Sequence, residues 1–186
     1  MGAACCPFMI SPMGIRYYAY AFDGDQAVKA LADPRTVIGP DPLADAFGLE
    51  RGFIQGYTDL RQSLPERDLL YLDKAWPYLQ RLTGSPSPAA AARASYRMFE
   101  GHVTHADDGF TWQPWVRALP PREVEVIARD LEAINDHDVN VALGGFCSSA
   151  ISLESEAAYV NAFLERAKVF VSAAASDGRG FAYIIG

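Results

Sequence analysis

Five side chains in this sequence have the type and spacing to do chemistry: Asp73, Lys74, Trp76, His102 and His105. Asp73-Lys74-Ala75-Trp76 sets a carboxylate, an ammonium and an indole where a helix is expected to begin, an arrangement that could hold an anion or a polar ligand at the helix N-terminus. A plainer reading of the same residues has Asp73 capping the helix, Trp76 packing and Lys74 solvated. Glu100-Gly-His102-Val-Thr-His105-Ala-Asp107-Asp108 gathers two of the three histidines with three carboxylates. His102 or His105 could act as general acid or base in a small-molecule hydrolase or transferase, joined in space by nearby carboxylates, Asp73 or Cys147. No nucleophile stands at a diagnostic position, and a polar surface loop is the preferred reading of the stretch. Positions 102 and 105 face opposite sides of a strand, so a shared metal would need a turn or helix there. No metal and no cofactor is expected.

Two further stretches invite chemistry and fit no motif. Gly144-Gly145-Phe146-Cys147-Ser148-Ser149 lacks the Gly-Lys-Ser/Thr of a phosphate loop and the Gly-x-Ser-x-Gly of a nucleophile elbow. It reads as a loop offering serine caps to the helix that follows. Asp136-His137-Asp138 reads as a solvated turn closing a helix.

The elements that must position these residues belong to a chain of 186 residues, enough for one domain with its own core. Half the residues are apolar or aromatic and no apolar run is long enough to cross a bilayer, so no membrane partner is expected. The formal charge of −7 repels a phosphate backbone. Only residues 61–100 carry a slight basic excess, from six scattered Lys and Arg against four acids, and nucleic acid is not an expected partner. Three cysteines, two of them adjacent, make no disulfide framework, which fits a reducing, cytoplasmic setting. Residues 1–12, uncharged and without the basic start of a secretory signal, read as a disordered or extraneous extension before a domain over 13–186.

GIRYYAYAF, residues 14–22, suits a strand covered on both faces. Asp23-Gly24-Asp25 then turns into a short helix over 26–32, ended by Asp33-Pro34. Prolines and glycines punctuate 33–58, an irregular connection. Ser63-Leu64-Pro65-Glu66 has the capping-box pattern, so a helix or helical turn is expected to start there, broken near Asp73 by Pro77 and resumed over 74–82. A loop follows over 83–88, and Ala89–Ala94 could open another helix. Residues 95–118 show no clear period. Pro120-Pro121 opens a helix with Val124, Ile127, Leu131 and Ile134 on one face, and VNVAL, residues 139–143, reads as a short strand. The strongest helix carries Leu153, Ala157, Val160, Leu164, Ala167, Val171 and Ala174 as one stripe, widened by Phe163 and Phe170. FAYII, residues 181–185, is an apolar terminal strand. The first and last segments are therefore expected side by side in one sheet packed with several α-helices, an α+β fold.

Met13-Gly14-Ile15 before an aromatic strand, Leu72-Asp73-Lys74-Ala75-Trp76-Pro77-Tyr78-Leu79 running to Leu82-Thr83-Gly84, and an amphipathic last helix leading into a short apolar strand ending at Gly186 together resemble the YfbM-like family. These are small bacterial proteins of unknown function. The resemblance implies an α+β domain and a bacterial cytoplasmic setting, and it transfers no catalytic residue. Without a complete catalytic constellation, the functional expectation is binding, as an interaction or neutralising partner of another protein. The alternative is the small-molecule hydrolase or transferase built on His102 and His105.

Overall fold

The computed structural model describes residues 14–49, 61–85, 90–105, 111–144 and 150–186. Its centre is a sheet of four antiparallel strands: β1 (Tyr17–Phe22), β2 (Leu69–Asp73), β5 (Trp115–Leu119) and β6 (Gly180–Ile185), in the order β2-β1-β6-β5. The first and last segments do pair, Tyr17 opposite Ile185 and Phe22 opposite Gly180. Two-residue strands β3 (Thr104–His105) and β4 (Trp112–Gln113) form a separate small ladder.

Both faces of the sheet are covered, as the aromatic run in β1 requires. One face presents Tyr17, Ala19, Leu70, Leu72, Phe181, Tyr183 and Ile185 to α3 (Trp76–Thr83), α5 (Pro121–Glu132), α6 (Asp136–Leu143) and α7 (Ala150–Ser176). The stripe read from the last helix is the one α7 buries, from Ala157 through Ala174. The other face presents Tyr18, Tyr20, Phe22 and Leu69 to α1 (Ala27–Ala32), α2 (Pro42–Phe47) and the 3-10 turn Pro34–Thr36. A further short helix, α4 (Tyr96–Phe99), places Met98 and Phe99 in the larger core.

Four local expectations narrow or change. The Ser63–Glu66 pattern makes only a turn: the Pro65 carbonyl accepts from Asp68 at 2.8 Å and Leu69 at 3.0 Å, and the chain then extends along β1. Sheet pairing of Leu69-Leu70-Tyr71-Leu72 outweighs the local helix signal. Residues 139–143 are helical rather than extended, because Asn135 and Asp138 form a reciprocal capping box that starts α6. Val139 and Leu143, one turn apart, then reach the core together. Asp136-His137-Asp138 accordingly opens a helix. The alanine-rich stretch is not helical over 90–94.

Hydrogen bonding fixes which way each strand aims its backbone. Arg16 and Gly186 exchange both bonds at 3.0 Å, and the Ala21 amide donates to Asp68 at 3.0 Å. Alternation from these pairs turns the Leu69 and Tyr71 backbone outward on β2, and the Val116 and Ala118 backbone outward on β5.

Candidate functional site

Asp73 ends β2 and turns the chain into α3. Its φ of 45° lies in the left-handed region, which aspartate tolerates better than most residues. A register shift in the β1–β2 ladder precedes it: Tyr18 faces Tyr71 and Tyr17 faces Asp73. Asp73 is not the helix cap, since Ala75 occupies that position and makes no side-chain bond. The carboxylate instead collects donors from three elements. Tyr71 donates its hydroxyl to Oδ1 at 2.8 Å, the Arg16 guanidinium reaches Oδ1 at 3.2 Å, and Tyr159 on α7 donates to Oδ2 at 3.0 Å.

Burial alone would raise the Asp73 pKa, yet the hydrogen bonds from Tyr71 and Tyr159 and the charge of Arg16 outweigh it and hold the carboxyl below its usual range. The same burial, with Asp73 as neighbour, pushes Tyr71 and Tyr159 upward. Tyr18, on the adjoining strand, is pushed up to about 12, mainly by burial. At neutral pH the cluster is an anion held by an arginine and two neutral phenols. Its carboxylate is a structural acceptor with its lone pairs in use.

Of the other sequence-derived candidates, Lys74 enters this cluster through its backbone N–H, which helps to lower the Asp73 pKa, and Trp76, His102 and His105 make no hydrogen bond to it among the described residues. Trp76 is 7% exposed and packs into the main core, while Lys74 is half-buried at the turn. His102 and His105 are exposed, and each lies against a different tryptophan. The His105 ring stacks on Trp112 with centroids 3.8 Å apart, and the His102 ring tilts over Trp115 at 5.0 Å. No group of three His, Cys, Asp or Glu side chains among the described residues is placed to hold a metal. Asp107, Asp108, Cys147 and the extension 1–12 lie outside the described residues.

Two features lay beyond the sequence reading. The outer edge of β5 is open: the Val116 and Ala118 backbone groups have no protein partner among the described residues. Around it stand apolar side chains that face water. α1 lies over β5 and exposes Val28 at 83% and Leu31 at 47%, while Trp112, three residues before β5, is 40% exposed. The opposite edge is treated differently. On β2 the outward Leu69 amide donates to Pro65, and the Leu69 carbonyl accepts from Gln62 Nε2 at 3.1 Å. Between that edge and α7 runs a groove of about 190 Å³. Tyr71 belongs to both the groove and the Asp73 cluster.

No family model matches the chain, and no curated protein does. Among solved structures, a protein of unknown function, YfbM from Escherichia coli, superposes with a TM-score of 0.55 over 92% of this chain and 99% of its own. The chain has the YfbM-like fold. At 15% identity the YfbM likeness carries architecture and no residue roles, so the site rests on the side chains and edges described above. No helix of the described residues is long and apolar enough to cross a membrane.

Proposed function

We propose that the protein acts by binding another polypeptide in a cytoplasmic setting, taking an extended segment of its partner along the outer edge of β5. The observation that carries this reading is the unpaired backbone of Val116 and Ala118 beside exposed apolar side chains. An extended segment supplies what both features lack. Its main chain completes the ladder, and its side chains add apolar surface beside α1, which packs on β5. Natural sheets often blunt such an edge with Pro or Lys, and β5 has neither within its five residues. The half-exposed Arg117 is held by Glu100, leaving that strand without a free charge.

Affinity capture of the tagged full chain from its host, with the eluate weighed intact, tests the reading when run beside two variants. Val116→Pro removes an outward donor without touching the bonds to β6, which proline tolerates on an edge. Leu31→Glu charges the exposed face of α1. A stoichiometric protein held by the wild type and lost from both folded variants supports the reading. Equal retention by all three, or no protein partner, overturns it.

A further inference from the structure

The groove between β2 and α7 is independent of the β5 edge, standing on the far side of the sheet. Its floor and walls are apolar at Leu69, Leu70 and Val169, and Val169 is 59% exposed although it faces a concave surface. Two opposite charges border this apolar floor. Glu66 comes from the turn before β2 and has no hydrogen-bond or ion-pair partner among the described residues. Arg166 comes from α7 and stacks over the Phe163 ring at 5.2 Å, with no carboxylate partner among the described residues. The two do not pair with each other. The other acid at the groove, Glu165, is already engaged by Lys168 at 2.8 Å.

A free carboxylate and a free guanidinium flanking apolar ground are complementary to a molecule carrying both charges and an apolar body. An extended peptide fits less well here, because the Gln62 and Pro65 bonds close the strand edge at Leu69 and leave only Tyr71 open. The volume also falls below that of sites for drug-sized ligands, which start at about 300 Å³, and suits something the size of one amino acid.

We propose that this groove binds a small apolar zwitterion of the α-amino-acid class, its ammonium at Glu66, its carboxylate at Arg166 and its side chain on Leu69, Leu70 and Val169. A cation at Glu66 and an anion at Arg166 gain charge-assisted hydrogen bonds, while the guanidinium fork sets the orientation of the carboxylate. The site makes no use of the β5 edge, so it stands or falls separately from polypeptide binding.

Calorimetric titration of the full chain with L-leucine tests it, beside leucinamide, which lacks the carboxylate, and 4-methylpentanoate, which lacks the ammonium. Leucine is expected to bind, and both analogues to bind at least about tenfold more weakly, the equivalent of about 1.4 kcal/mol each. Glu66→Gln should weaken leucine while leaving 4-methylpentanoate unchanged, and Arg166→Gln should weaken leucine while leaving leucinamide unchanged. Both residues are at the surface, so the variants should fold. Val116→Pro should leave leucine binding intact even where it abolishes polypeptide capture. Absence of leucine binding, equal binding of the analogues, or indifference to both substitutions overturns the proposal.

Discussion

Tyr159 on α7 donates its hydroxyl to Asp73 Oδ2 at 3.0 Å, tying the end of an edge strand to the longest helix in the described structure. Removing that hydroxyl leaves a carboxylate with one donor fewer while burial still opposes its charge. Tyr159→Phe should destabilise the fold by about 1.5–3 kcal/mol, the range for a bond to a charged group. Tyr71→Phe should cost a similar amount, since its hydroxyl serves the other oxygen. Urea unfolding of the two variants and their double mutant would show non-additivity, because both act on one acceptor.

The same cluster sets an acid limit. The folded Asp73 pKa is lowered from 3.8, so its contribution is complete above the ordinary carboxylate range and is lost as pH falls through the lowered folded value. Asp130, bonded by Ser95 and Arg93, is shifted in the same direction and adds to the loss. Asp73→Asn should therefore be less stable than the wild type at neutral pH and approach it in acid. At the alkaline end Tyr18 rises from 10.0 to about 12, so its share is complete below pH 10 and erodes as pH climbs towards 12. Melting temperature against pH, for wild type and Asp73→Asn, checks both limbs.

Gly39 lies against the buried pair Tyr20 and Asp45, whose hydroxyl and carboxylate meet at 2.9 Å. A methyl at position 39 would stand 2.9 Å from the Tyr20 hydroxyl and overlap the Asp45 carboxylate. Gly39→Ala is expected to destabilise by about 2 kcal/mol or more, combining overpacking with a strained hydrogen bond. Equal chemical stability of the two proteins would contradict this.

β6 lies between β1 and β5, with Phe181, Tyr183 and Ile185 fully buried. Removing residues 181–186 forfeits about 1.5–3 kcal/mol for each of those side chains and breaks two ladders, a loss comparable with the whole stability of a domain. The shortened chain should fail to fold cooperatively, as followed by circular dichroism on heating.

The helix caps are a milder test. Asn135 accepts from the His137 and Asp138 amides at 2.9 and 3.2 Å, so Asn135→Ala should cost about 0.5–2 kcal/mol.

Much of the fold was legible because its elements are one-sided or wholly apolar. The α7 stripe and the FAYII strand need no partner to be recognised, and the pairing of first with last strand follows from their shared burial. Signals that compete within a few residues were not legible. Ser63–Glu66 satisfies a helix rule that sheet pairing overrides, and Asn135, whose capping begins α6, precedes a run that also alternates like a strand. Reading 69–73 as a strand would have put Tyr71 beside Asp73 on one face, two residues apart, and revealed the cluster. Arg16 and Tyr159 reach Asp73 from 57 and 86 positions away, a distance that no local pattern spans. The open β5 edge is a property of backbone phase, which no side chain records.

The four-stranded sheet contains no hairpin. β6 joins β1 and β5 from far along the chain, and β2 reaches β1 only after the segment carrying α1 and α2. Every ladder therefore waits on a long loop closure, whose entropy must be met before any of its bonds form. Refolding should be slow for a chain of this size, with α5 and α7 able to associate early while aromatic strands stay exposed. The arrangement that makes the finished sheet hard to unravel also makes its assembly the step at which the chain is most open to aggregation.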